Sequence, residues 1–499
     1  KSKGIDLSKP QPGHKKPGSE EGLTPYEQAK MYDNGLPFDE KARWIITSNF
    51  FEIWIYDMNQ RNPERNVVKV ALPELATKFH TLDFLVNKER KRVTQETEVS
   101  VVKWASAFKY ISINYDARIA TVKNRTQRVS FANNLNGDRI RLRFSNRYSK
   151  TPLRLDRVTV GTEAGSAVLN TAPVTLNGSP VITLEPGQEM LSDEIAFAAR
   201  AGERLAVSIY IKDAQDVESV RCLWARTNTL VSFGAGDQTD GQAFEETELD
   251  NLLPLIRDDP SPYKTMFFYG FDALQVYTEN DVRVIAAFGD SITHMSFVTN
   301  ALMKRLYADY PGRVTLINSG VGGNRLVHDA TYVPAAGQVI TVFGDAGVKR
   351  FERDVFELNE VNTVLALIGI NDIMHPIQLE ELTEATPPEA IIDGYETIAA
   401  ITHAHGGKIF GATVMPCGNK CYPDGWLPAF EKTRQSLNEW IRGKNDYDGF
   451  FDYDAAMRDD ARPGYLLPGL DIGDGLHPND KGGEIVANTI DLAKLTGLQ

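Results

Sequence analysis

Polar and apolar positions divide this chain into three textures. Residues 1–43 open with KSKGIDLSKPQPGHKKPGSEEGLTP, rich in Lys, Pro and Gly and almost without apolar residues. That pattern predicts an extended arm or tail rather than a core element. Residues 44–278 carry recurring apolar–polar alternation, in RVSFANN, RIRLRFSN, RLDRVTVGT, VITLEPGQ, RLAVSIYIK and TMFFYGFDALQVY. These segments are rich in Val, Ile, Phe and Tyr and are bounded by Gly, Pro, Asn or Asp, which predicts an antiparallel β-sandwich. Within it, Asn136-Gly137 before DRIRLRF predicts a hairpin turn.

From residue 279 to 499 the alternation gives way to near-continuous apolar runs, each followed by an amphipathic segment. VRVIAAF precedes FVTNALMKRLYADY, VTLIN precedes VKRFERDVFEL, and NTVLALIG precedes EAIIDGYETIAAITHAHG. KIFGATVMP and GFFDYD continue the series, followed by LPAFEKTRQSLNEWIRG and KGGEIVANTIDLAKLTG respectively. Strands apolar on both faces belong in a parallel sheet covered by helices, so a three-layer α/β domain is expected. In such open sheets, ligands bind at the carboxyl ends of the strands.

Length and charge narrow the picture only a little. At 499 residues the chain exceeds one core, and at roughly 150 residues per domain two or three are expected. The formal net charge of −13 disfavours nucleic acid or an anionic membrane as partner. No apolar run approaches the ~20 residues that span a bilayer. Three cysteines exclude a disulfide-rich scaffold. Cys417 and Cys421, in PCGNKC, are either a loop-closing disulfide or two unpaired thiols, and zinc would need further ligands that the neighbouring sequence lacks. The chain starts at Lys1 without an initiator Met or an apolar signal core, and the expectation is a trimmed secreted or periplasmic protein.

Chemistry concentrates at the predicted strand ends. The first apolar run ends in Gly289-Asp290-Ser291, at a strand-to-helix turn. Ser291 there is either an N-cap or a nucleophile whose own N–H faces the site. A second Phe-Gly-Asp, at Phe343-Gly344-Asp345, has Ala346 where the first has Ser291, so the tripeptide decides nothing alone. The second run leads into SGVGGNRL, whose glycines permit positive φ and close approach of an N–H to a ligand. The third ends in Ile370-Asn371-Asp372, and an Asn amide is a neutral donor suited to an oxyanion. The last leads to Asp474 and His477, three residues apart in DIGDGLHPN. There the imidazole can take a proton from Ser291 while the carboxylate orients it.

Four blocks resemble the SGNH, or GDSL, hydrolase family: Gly289-Asp290-Ser291-Ile292-Thr293, Asn318 to Asn324, Gly369-Ile370-Asn371-Asp372, and Asp474 to Pro478. The resemblance implies a flavodoxin-like α/β/α hydrolase domain over residues 279–499. It implies Ser291 as nucleophile, His477 as general base and Asp474 as its partner. The oxyanion donors would be the N–H groups of Ser291 and Gly323 and the Asn371 amide. The segment before it is similar to the β-rich domain of the acetylxylan-esterase-like and arylesterase-like branch. The implied reaction is hydrolysis of a short-chain acyl ester, foremost O-acetyl groups on a glycan such as xylan, with no metal or organic cofactor. Aryl esters or lysophospholipids are the alternative substrates, and a carbohydrate-binding protein with an inactive hydrolase domain is the alternative of another class. His294 departs from the family pattern after GDSIT, and the segment 328–345 looks like a longer loop. His294, Asn324 and Trp426 are the candidate pocket residues. Trp104, Tyr210 and Trp224 are either sugar-stacking or sandwich-core aromatics, core packing being the better account.

Overall fold

The computed structural model describes residues 6–11, 15–16, 22–34, 42–49, 51–58, 62–75, 78, 82, 102–243, 245–249, 251–259, 263–279, 281–333, 338–378, 384–420, 425–443 and 445–498. The chain divides into two compact units, Lys1–Val99 and Ser100–Gln499. In the first, the segment expected to be an extended arm contains a helix, Pro25–Asn34. A reciprocal pair at its start stabilises it: the Glu27 N–H donates to Thr24 Oγ1 and the Thr24 N–H to Glu27 Oε2, 2.8 Å. Trp44–Ser48, Glu52–Asp57 and Val68–Ala71 form a three-stranded antiparallel sheet. Tyr26 of the helix stacks on Tyr56 of the sheet at 4.1 Å. The expected boundary at Trp44 therefore falls inside a folded unit, and the division lies after Val99. A four-residue capping pattern in a polar stretch was the signal that composition hid.

The second unit begins with two antiparallel sheets. One has five strands in the order Ala167–Pro173, Arg157–Ala164, Arg204–Ile211, Arg125–Ala132, Thr229–Ala235. The other is built around a long strand, Met266–Glu279, paired with Gly137–Ser145 on one side and with Ser219–Leu223 and Val102–Lys109 on the other. Phe108 stacks on Phe131 across the sheets at 4.3 Å. Buried Gln127 also bridges them, donating to the Tyr269 carbonyl and accepting from its N–H. Asn136-Gly137 is not a hairpin turn. The strands on either side of it lie in different sheets, so the chain crosses over there.

The remaining chain forms a five-stranded parallel sheet: β1 (Arg283–Gly289), β2 (Val314–Gly320), β3 (Thr363–Leu367), β4 (Lys408–Ala412) and β5 (Gly449–Phe451). Its order is β2-β1-β3-β4-β5. Every residue of β2 and β3 is buried, as continuous apolar runs require when helices cover both faces. The helices are α1 (Ser291–His294), α2 (Phe297–Asp309), α3 (Gly347–Phe356), α4 (Ile370–Gln378), α5 (Pro388–Ala404), α6 (Trp426–Arg442) and α7 (Asp480–Asn488). The strand order reverses between β1 and β3, which opens a crevice at their carboxyl ends. No helix among the described residues is long and apolar enough to cross a membrane.

The β-rich part and the α/β part share polar ties as well as core. Arg143 makes a bidentate pair with buried Asp272, at 2.8 and 2.7 Å, and reaches Glu357 after α3 at 2.8 Å. The Ser106 N–H donates to Asn359 Oδ1, and Thr315 Oγ1 of β2 donates back to the Ser106 carbonyl. Removing one member of a buried pair leaves the other charge without compensation. Asp272→Ala is therefore expected to cost about 3–5 kcal/mol in urea unfolding of the intact chain, monitored by tryptophan fluorescence.

Candidate active site

Three of the predicted residues converge at the carboxyl end of β1. His477 Nε2 lies 2.7 Å from Ser291 Oγ, and His477 Nδ1 lies 2.6 Å from Asp474 Oδ2. A carboxylate only accepts, so Nδ1 carries the proton and Nε2 is left to accept from the serine hydroxyl. The Asp474–His477 turn is held from within, since Asp474 Oδ1 accepts the N–H groups of Leu476 and His477 at 3.0 Å each. Burial pushes the Asp474 carboxyl up, but the bonds from His477 and the nearby Lys420 ammonium outweigh it and hold the acid well below its usual range. Lys420 Nζ lies 3.1 Å from Asp474 Oδ2, a cation the sequence pattern did not single out.

Ser291 begins α1, so its N–H has no acceptor in the preceding turn. Asp290, not Ser291, is the N-cap, accepting the Ile292 N–H at 3.0 Å. That separates the two readings of the turn: the cap is one residue earlier, and the serine hydroxyl is available to His477. β1 ends close against β3, where a Cβ at Gly289 would meet the Leu367 carbonyl at 2.3 Å. Only glycine fits that approach.

The turn after β2 is shaped by two unanticipated neighbours. His294 Nδ1 accepts the Gly322 N–H at 3.0 Å, and burial pushes the imidazole down to about 4. The ring is thus a neutral acceptor at ordinary pH. Gly323 has φ +70°, and Phe343 lies where its Cβ would be, at 2.0 Å. Phe343 comes from the second Phe-Gly-Asp, which contributes an aromatic wall instead of a nucleophile. Behind the turn, the buried Arg350 guanidinium of α3 joins the carbonyls of Gly289 (2.8 Å) and Ser319 (2.9 Å), Asn324 Oδ1 and Asp354. The Arg-x-x-x-Asp spacing in KRFERD was its only trace in the sequence.

Beside Ser291 lies a cavity of about 550 Å³, bordered by Ser291, His294, Gly322, Asp474 and His477 among others. Of the expected pocket residues only His294 lines it. Asn324 is wholly buried, and its side chain is engaged with the carbonyls of Phe343 and Asp345 and with Arg350. It holds the loop and does not face the cavity. Trp426 starts α6 and packs on Phe430 at 5.3 Å, away from the site. Gly323 and Asn371 sit one layer back: the Asn371 amide donates to the Asn324 carbonyl at 3.0 Å. Trp104 packs on Tyr277 and Arg141, and the Tyr210 hydroxyl bonds Asn124. Trp224 does line the cavity. Cys222 and Cys417 are free and buried, which pushes both thiols up to about 12, and Cys421 lies outside the described residues.

Residues 287–485 match the model of the GDSL-like Lipase/Acylhydrolase family. The C-terminal domain belongs to the GDSL, or SGNH, hydrolase family. Residues 1–105 match a second model, the MmeI N-terminal domain. Comparison with curated proteins returns no match. Among solved structures, the GDSL domain is similar to LAE5, described as an alpha/beta hydrolase enzyme from the metagenome of Lake Arreo, Spain. That likeness has 21% identity and a TM-score of 0.33, covering 43% of this chain and 95% of that one. A GDSL-like lipase from Bacteroides thetaiotaomicron VPI-5482 matches at 18% identity and TM-score 0.31, covering 43% and 89%. The acetyl xylan esterase AlAXEase matches at 19% and 0.30, covering 41% and 96%. Scores this low add nothing to the reading of the GDSL domain, which rests on the family match and the geometry.

Beneath the serine, Asp290 is buried with Oδ2 unpartnered among the described residues, and burial pushes its carboxyl up to about 7. The native state then keeps a proton that the unfolded chain releases near pH 4. Stability from this group is fully present below pH 4 and falls as pH rises to about 7, by up to about 4 kcal/mol. Asp290→Asn, which keeps the cap acceptor, is expected to remove that slope in denaturant melts taken across pH 4–8.

Proposed function

We propose that the GDSL domain is a serine esterase working through an acyl-enzyme on Ser291. The observation that carries this reading is the Ser291–His477–Asp474 chain, with links of 2.7 and 2.6 Å. Ser291 Oγ attacks the ester carbonyl carbon as its proton passes to His477 Nε2. The alcohol leaves with that proton, and a water deprotonated by His477 then releases the acid. Ionised Asp474 keeps the imidazole in the required tautomer and stabilises its charged form. The developing oxyanion takes the Ser291 N–H, the Gly323 N–H and the Asn371 amide hydrogen that is not given to Asn324.

For the substrate, the expectation of an O-acetylated glycan competes with aryl or lipolytic-type esters. The cavity walls support the latter. Trp224, Ile256, Met295 and Ile472 present aromatic and aliphatic surface, with few groups for sugar hydroxyls. Ser291→Ala is expected to lower p-nitrophenyl acetate hydrolysis by on the order of 10⁴-fold or more. An undiminished rate would favour the reading as a binding protein with an inactive hydrolase domain.

His294 enters this mechanism indirectly, by holding Gly322 and through it the Gly323 N–H. His294→Phe keeps the ring shape but loses the acceptor, and kcat is expected to fall about 10- to 100-fold with a smaller change in KM. His294→Asn returns an oxygen acceptor near the Nδ1 position and is expected to restore most of the loss in steady-state assays.

A further inference from the structure

We infer that the β-rich part of Ser100–Gln499 builds the specificity wall of the active site, for an ester carrying an aromatic ring or a medium-length alkyl group. This rests on the esterase reading of Ser291. The cavity beside the serine is shared: Tyr115, Trp224, Leu255 and Ile256 come from the β-rich part, and Met295 and Ile472 from the GDSL domain. An acetyl group would leave most of about 550 Å³ unfilled. Cavities of that size enclose drug-sized ligands and favour those that cover their apolar walls.

The wall is fixed in place. The Trp224 indole N–H donates to Asp259 Oδ2 at 3.1 Å, and its ring meets His294 edge-on at 5.2 Å. The backbone N–H of Ala225 donates to the Met295 carbonyl at 3.0 Å, which joins the strand end to the segment just after the nucleophile turn. Tyr110 Oη lies 3.0 Å from Ser296 Oγ in the same segment. An indole held on two sides is a preorganised surface, and apolar contact with it costs little ordering.

The polar groups of the wall are already engaged with one another. Asp259 Oδ2 also accepts the N–H of Thr265 at 3.1 Å and its hydroxyl at 2.5 Å. A sugar entering here would have to displace those bonds or leave hydroxyls unpaired, which is costly in a closed site. At the rim, Leu255 is 66% exposed on the short helix Pro254–Arg257. A single exposed leucine means little, but this one continues the apolar wall outward.

The geometry fixes the apolar character of the group but not whether it belongs to the acid or the alcohol, so the test has two arms. With the full chain, kcat/KM is measured for p-nitrophenyl acetate, butyrate, octanoate and benzoate, and for methyl, benzyl and 1-naphthyl acetates, alongside acetate release from acetylated xylan. One arm is expected to rise by on the order of 10-fold from its smallest to its bulky apolar members. Trp224→Leu and Leu255→Asp are each expected to reduce that preference several-fold, and exposed Leu255 tolerates the change without a folding cost. A flat profile in both arms, a preference that survives both variants, or faster turnover of acetylated xylan than of any apolar ester would overturn the assignment. If no ester at all is hydrolysed, the esterase reading beneath it fails as well. Ser291-dependent hydrolysis without an apolar preference sinks only the wall.

Discussion

A buried guanidinium holds together the strand ends from which this site is made. Arg350 joins the last carbonyl of β1, the Ser319 carbonyl near the end of β2 and the Asn324 side chain, with Asp354 as its counter-charge. Each of those carbonyls faces an interior without water, where an unmet acceptor is expensive. The same group lies over the Phe288 ring at 4.3 Å, so its flat face is used as well as its edges. The serine turn and the glycine turn can face one crevice because their roots share this cation. Lysine could not replace it, since a single ammonium cannot reach so many acceptors in one plane.

The second dependence is between the two parts of Ser100–Gln499. A β-rich part attached by a loose linker would leave the crevice open on one side. Here the long strand Met266–Glu279 ends four residues before β1, and the Arg143–Asp272–Glu357 cluster fastens its sheet to the segment after α3. The Trp224–His294 contact then carries the attachment into the site itself. Binding and chemistry therefore meet at one ring edge, where an imidazole serves the Gly322 turn with one nitrogen and packs against the indole wall.

The fold of the GDSL domain was readable because its signals are strong and local. Continuous apolar runs such as VTLIN can only be doubly covered strands, and each fell within a strand of the parallel sheet. Ser291, Asp474 and His477 were legible because each follows such a run, so topology alone brings them to one edge. What escaped notice was nonlocal or disguised. Arg350 is an ordinary helix arginine until three chain segments fold around it. Asn324 looked like a pocket residue because it follows the glycines, yet its amide is needed by the loop at Phe343 and Asp345. Asn136-Gly137 has hairpin chemistry, but whether the next strand pairs with the previous one is decided by packing between sheets. The helix at Pro25–Asn34 was masked by the lysines and prolines around it.

One consequence of the shared cavity concerns how such an enzyme can change over generations. The groups proposed to break the bond come from residues 291, 474 and 477, whereas much of the surface that would meet the substrate comes from residues 113–115, 224 and 255–256. Substitutions in the second set can reshape what is accepted while leaving the proton relay untouched. Trp224 is the exception, because its edge rests on the imidazole that steadies the glycine turn. Drift in preference is therefore freest at the rim, around Leu255, and most constrained at the indole.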